Sequence, residues 1–136
     1  RVDLRVDEGW VECAFGAWDG LTSAQVAEQF PRELSDWYAS TAVAPPGGES
    51  LDDVGRRVAL ARDKLMARHP RARVLVVTHS TPIKTMVRDS LGAGAQALWR
   101  LESAPVGLTT TRWWADGGAA LGSYNETAHL RAAART

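Results

Sequence analysis

The sequence predicts an α/β domain, and three observations carry that reading. Val74, Leu75, Val76 and Val77 form a short, unbroken apolar run, the pattern of a strand buried on both faces inside a parallel sheet. A helix start follows within a few residues, with Thr81 as N-cap and Pro82 at the first helical position. Period-two apolar patterns near both ends of the chain supply further strands around amphipathic helices. At 136 residues the chain is read as one domain, 1–136, long enough for its own core.

From the start, RVDLRV alternates, with Val2, Leu4 and Val6 on one face: a half-buried strand at a sheet edge. Asp7-Glu8-Gly9 turns the chain into a stretch where Gly16 and Gly20 stand among Trp10, Phe15 and Trp18. That mixture predicts an ordered loop lying against the core. Thr22 and Gln25 make a T-x-x-Q capping box for a short helix that Pro31 ends. A second short helix is predicted from Glu33 to Ala39, carrying Leu34, Trp37 and Tyr38. The loop APPGGES (Ala44 to Ser50) has a course set by two prolines and two glycines. Ser50 and Asp53 then cap the longest helix. Leu51, Val54, Val58, Ala61 and Leu65 are its apolar stripe, with Arg57, Asp63 and Lys64 facing out, and Arg68-His69-Pro70 ends it. Past Thr81-Pro82, Ile83, Met86 and Val87 give the next helix its apolar side, and Gly92 is its C-terminal glycine. Gln96 to Glu102 fits helix or loop. Leu108 to Trp114 reads as a strand, Asp116-Gly117-Gly118 as a hairpin turn and Ala119 to Tyr124 as the partner strand. Asn125 to Leu130 is expected to be a polar ending, and RAAART a frayed tail.

Composition excludes several classes of function. Sixteen basic residues balance sixteen acidic ones, so no net field favours nucleic acid or an acidic membrane. One cysteine, Cys13, forbids an internal disulfide and fits a reducing compartment. There is no membrane-length apolar run, and the start has no signal-peptide pattern; the expected localisation is cytoplasmic. His69, His79 and His129 are scattered without ligand spacing, so neither a metal nor a cofactor is expected.

The chemistry centres on the strand end at His79. In open α/β sheets ligands bind beyond the carboxyl ends of strands, where helix N-termini point N–H groups at anions. An imidazole there suits work on a phosphate, although a hydrogen-bonded structural histidine fits the local pattern equally well. Glu12, in a loop dense with aromatic residues, is the second candidate. Partial desolvation would raise its carboxyl toward proton donation, and a surface glutamate is the plainer alternative. Glu49 either orients a neighbour or biases a helix N-terminus, and a supporting role behind the site is the favoured reading. Cys13 beside Glu12 admits a Cys–His pair, but a small buried apolar residue is the better account.

Three segments in this order, E-C-A-F-G-A-W-D-G-L-T (Glu12 to Thr22), P-P-G-G-E-S (Pro45 to Ser50) and V-V-T-H-S-T-P-I-K (Val76 to Lys84), resemble the histidine phosphatase superfamily, the phosphoglycerate mutase-like family. Together with Y-N-E-T-A-H-L (Tyr124 to Leu130), they resemble in particular the phosphatase domains that some actinobacterial proteins carry behind a ribonuclease H domain. The resemblance implies a three-layer fold, a sheet flanked by helices with strand order 3-2-4-1-5-6. It also implies two-step hydrolysis of a small phosphorylated metabolite through a phosphohistidine. On that reading Glu12 matches the general acid, His79 matches the second histidine that stabilises the phosphoryl oxygens, and Ser80 offers a backbone N–H to the phosphate.

The family's nucleophile lies in an R-H-G motif, and no R-H-G occurs in these 136 residues. By the same resemblance the chain begins at the family's third strand, which predicts an N-terminally truncated domain. Its most apolar strand would then be unpaired on both sides, and its activity alone would be poor. The expected partners are a segment carrying the missing strands, a fused ribonuclease H domain, or a second copy in a homodimer. The rival readings are a catalytically inactive module that binds a phosphorylated ligand or a protein, and a phosphomutase.

Overall fold

The structure is a computed structural model and describes residues 3–133. Its first two helices, α1 (Ser23–Gln29) and α2 (Pro31–Ala39), meet at a proline. The Gln25 N–H donates to Thr22 Oγ1 at 3.2 Å and the Thr22 N–H donates to Gln25 Oε1 at 2.8 Å, so the expected capping box is present. Pro31 has no N–H for α1 to use, yet its fixed φ suits the first position of a helix. One residue therefore ends α1 and opens α2, two positions before the expected Glu33.

Helix α3 (Leu51–Arg68) starts at the expected Ser50–Asp53 box and buries Leu51, Val54, Gly55, Val58 and Ala61 along one side. Asp63 and Lys64 are exposed, as their spacing requires. Arg57 is not, and its expected outward orientation is overturned. It lies three residues after Val54 and four before Ala61, on the edge of the buried stripe, and its guanidinium turns inward.

Helix α4 (Ser80–Ser90) begins earlier than its Thr81-Pro82 signal. His79 is the N-cap and Ser80 the first helical residue, so Pro82 stands third. The Ile83 N–H donates to the His79 carbonyl at 3.3 Å, which sets the helix start. A proline is tolerated there because the N–H it lacks would have had no partner inside the helix. Gly92 follows the C-cap with φ +59, the left-handed conformation that favours glycine. The ambiguous segment beyond is a 3₁₀ helix, Ala95–Arg100.

Strands β1 (Leu108–Trp113) and β2 (Ala119–Glu126) form an antiparallel hairpin closed at Gly117, where φ is +89. β2 runs past the expected polar ending at Asn125 because ladder pairing continues to the Leu108–Glu126 pair. A short helix, α5 (Ala128–Ala133), stands where a frayed tail was expected; residues 134–136 lie outside the described residues.

Two expected strands do not form. The sheet has two strands among the described residues. Residues 3–7 have no regular structure, and Leu4 and Val6 are 87% and 91% exposed; Val2 lies outside the described residues. Residues 74–77 have no ladder partner either, and Leu75 and Val77 are 78% and 87% exposed. A strand is held by its neighbours, and neither segment has one. Val76 alone turns inward, against the core formed by Trp10, Cys13, Leu51, Val54, Val58, Ala61 and Leu98. The result is an α/β fold in which α4 packs against α3 as well as against both strands of the hairpin.

Candidate active site

The loop that carries Glu12 is clasped to the loop before α3. The Ala17 N–H donates to the Pro46 carbonyl at 2.9 Å and the Glu49 N–H to the Ala14 carbonyl at 2.8 Å. The backbones approach so closely that a Cβ on Gly16 would lie 2.3 Å from the Pro46 oxygen, and one on Gly48 2.5 Å from the Ala14 oxygen. The glycines noted in the sequence are what allow this approach.

Arg57 then locks the clasp. Its Nε donates to Glu49 Oε1 at 2.7 Å and its Nη2 to Glu49 Oε2 at 2.9 Å, a bidentate ion pair. The remaining N–H groups reach the carbonyls of Gly9 (3.1 Å), Val11 (2.8 Å) and Glu12 (3.0 Å). All five guanidinium donors are thereby used, three of them on the backbone that leads into Glu12. These bonds to Arg57 hold the Glu49 carboxyl below its ordinary range, with a smaller contribution from the Ala14 N–H at 3.4 Å. Sequence reasoning missed Arg57. Its place on the edge of the apolar stripe was the available signal.

Glu12 faces the start of α4. The Thr81 N–H donates to Oε1 at 3.2 Å and to Oε2 at 3.4 Å, while the Cys13 N–H donates to Oε1 at 2.8 Å. The carboxylate thus sits at the positive end of a helix. His79, the N-cap, is exposed, and it lines with Glu12 and Ser80 one groove of about 1090 Å³. That groove passes between residues 73–78 and the start of β1. The Thr78 hydroxyl anchors this approach by donating to the Trp10 carbonyl. Pro82 brings no N–H, and Thr81 is engaged by Glu12, so the N–H groups of His79 and Ser80 are the donors at this helix end that have no acceptor among the described residues. Glu12, His79 and Ser80 are brought together; Glu49 stands behind them, coupled to Glu12 through Arg57.

The other candidates are held in different contacts. Cys13 is 4% exposed, and burial, reinforced by Glu49 and Glu12, pushes its thiol up to about 12. It stays protonated and donates weakly to the Glu49 carbonyl at 3.4 Å, the behaviour of a small core residue. His69 caps the C-terminus of α3, and His129, which also lines the groove, contacts the Val106 carbonyl at 3.0 Å.

This architecture is that of an α/β domain with one site at the N-terminus of a helix. A solved mycobacterial glucosyl-3-phosphoglycerate phosphatase superposes with a TM-score of 0.77 at 26% identity, over 90% of this chain and 65% of that one. The family model of the histidine phosphatase superfamily (branch 1) matches residues 1–127, and the chain belongs to that superfamily. A bifunctional protein of Mycobacterium tuberculosis is 43% identical over 129 residues, 95% of this chain and 35% of that protein. Phosphoserine phosphatase 1 of Hydrogenobacter thermophilus is 31% identical over 90 residues, 65% of this chain and 43% of that enzyme. The chain therefore spans about a third of its bifunctional relative and less than half of the phosphoserine phosphatase.

Proposed function

We propose that this chain supplies the acid–base carboxyl group and the second histidine of a phosphomonoester hydrolase. The observation that supports it is the meeting of Glu12 and His79 on one groove at the N-terminus of α4. A histidine nucleophile from an R-H-G segment, which these 136 residues do not contain, attacks phosphorus. A phosphorus–nitrogen bond forms as the bond to the leaving alcohol breaks, and protonated Glu12 hands its proton to the departing oxygen. In the second step Glu12 takes a proton from water, the water oxygen bonds to phosphorus, and phosphate leaves the histidine. His79 and the Ser80 N–H stabilise the charge that gathers on the phosphoryl oxygens in both steps. Glu49 acts through Arg57, holding the backbone of Glu12 in place. The substrate is a small phosphorylated metabolite, and the complete unit carries the R-H-G segment upstream, in a fused protein with a ribonuclease H domain or in a partner chain.

Phosphate release is measured with the chain alone and with an R-H-G-bearing segment added. Turnover only on addition is expected, with Glu12→Gln lowering it about 10²–10⁴-fold. Phosphate binding without turnover under both conditions would favour the inactive binding module, a reading motivated by the unpaired apolar segment at residues 74–77. Transfer of the phosphoryl group to a second alcohol instead of water would mark a mutase.

A further inference from the structure

Beside the groove, Glu12, Ser80 and Thr81 also border a second, smaller cavity of about 220 Å³. Its walls are aromatic and aliphatic: Phe15, Trp37, Trp99, Leu51 and Leu98, with Lys84 the one basic side chain among them. Trp37 is the hub. Its ring meets Trp99 edge-on at 4.4 Å, Trp18 at 5.7 Å and Phe15 at 6.4 Å between centroids. This network comes from α2, the Glu12 loop and the 3₁₀ helix, so the pocket's shape is held from three sides. The indole N–H groups of Trp37 and Trp99, like that of Trp18, are buried within the cluster and closed to the cavity, which the rings themselves wall.

Resting on the phosphatase reading above, we propose that this pocket receives the alcohol half of the substrate, and that this half carries a flat aromatic ring. The position follows from the chemistry. The leaving oxygen must lie against Glu12, so the group attached to it extends into whatever space adjoins that carboxyl, and this pocket does. The size fits: about 150 Å³ accommodates a benzene-sized ring. The lining fits as well, since ring edges and faces prefer the offset and edge-on contacts that Phe15, Trp37 and Trp99 already make with one another. A small zwitterionic alcohol would set its charges against mostly apolar walls, with Lys84 the one cation and Glu12, committed to the leaving oxygen, the one carboxyl.

The test is titration of the isotopically labelled 136-residue chain with 3-pyridylmethyl phosphate, ethyl phosphate, 3-pyridylmethanol and inorganic phosphate. Indole N–H signals are assigned with Trp37→Phe and Trp99→Phe. The pyridyl ester is expected to bind about tenfold or more tightly than the ethyl ester and to move the Trp37 and Trp99 indole signals. Trp99→Leu should erase that preference; the wild-type indole shifts stand as the readout if the variant does not fold. Equal affinity of the two esters, or indole signals that stay still while inorganic phosphate moves the Ser80 and Thr81 amides, overturns the aromatic pocket and leaves the phosphatase reading intact. The titration is repeated with the R-H-G-bearing segment added; indole shifts with 3-pyridylmethanol, but no response of Ser80 and Thr81 to any phosphate under either condition, overturn the phosphatase reading and the substrate class with it.

Discussion

Arg57 spends its five donors on Glu49 and on the backbone leading into Glu12. A guanidinium on the edge of a buried helix face satisfies three loop carbonyls that would otherwise lack donors, while Glu49 balances its charge. Removing it strips all five bonds at once and leaves a partly buried carboxylate behind. Arg57→Met is therefore expected to lower unfolding stability by about 2–4 kcal/mol, read as a shifted urea midpoint at unchanged slope. The same pair predicts a pH response. The folded Glu49 carboxyl lies below its ordinary 4.5, so the pair's contribution is complete above that value and is lost as pH falls through the depressed one. The wild type should lose this stability in acid below about pH 4.5, and Arg57→Met should lose less over the same range because it never had it. An equal acid slope in both would remove Glu49 from the explanation.

Among the elements, the clasp between the two glycine-containing loops decides whether Glu12 reaches α4. Gly16 and Gly20 both have positive φ, +57 and +80, but they differ in surroundings. A Cβ at Gly16 meets the backbone of Pro46, Gly47 and Gly48 within 2.6 Å, whereas at Gly20 nothing lies within 4 Å. Gly20→Ala should thus cost only the strain of its backbone, about 1 kcal/mol. Gly16→Ala adds a clash with main chain that cannot move aside, and should cost about 3 kcal/mol or more. Thermal melts of the two variants side by side check this; similar losses would mean the clasp is looser than its distances imply.

For the molecule as a whole, the weak place is the apolar segment at residues 74–77. It leads directly into His79, yet Leu75 and Val77 stand in water without a ladder on either side. Exposed apolar residues beside open backbone groups recruit other chains. The chain alone is expected to self-associate with rising concentration, followed by light scattering. Val77→Lys should suppress that association without lowering the melting temperature by more than about 1 °C, since Val77 is 87% exposed and supports no packing. Association unchanged by the substitution would place the sticky surface elsewhere.

Local chemistry was legible at most element ends, although α4 opens two residues before its Thr81-Pro82 signal. The Thr22–Gln25 and Ser50–Asp53 capping boxes, the stripe from Leu51 to Ala61 and the hairpin turn at Gly117 each depend on residues a few positions apart, and each formed as read. Glu12, His79 and Ser80 were also legible, through motif order, as residues that meet. What the chain by itself did not settle were features whose cause lies far off. Val74 to Val77 has every intrinsic mark of a buried strand, but a strand is completed by partners, and none stands beside it among the described residues. Arg57 reads as a surface charge until the Glu12 loop folds back over it across more than forty residues. Sequence alone determined the two capping boxes, the buried stripe of α3 and the hairpin; tertiary contact alone decided which apolar run is covered and which charge turns inward, because burial is a property of neighbours brought together by the fold.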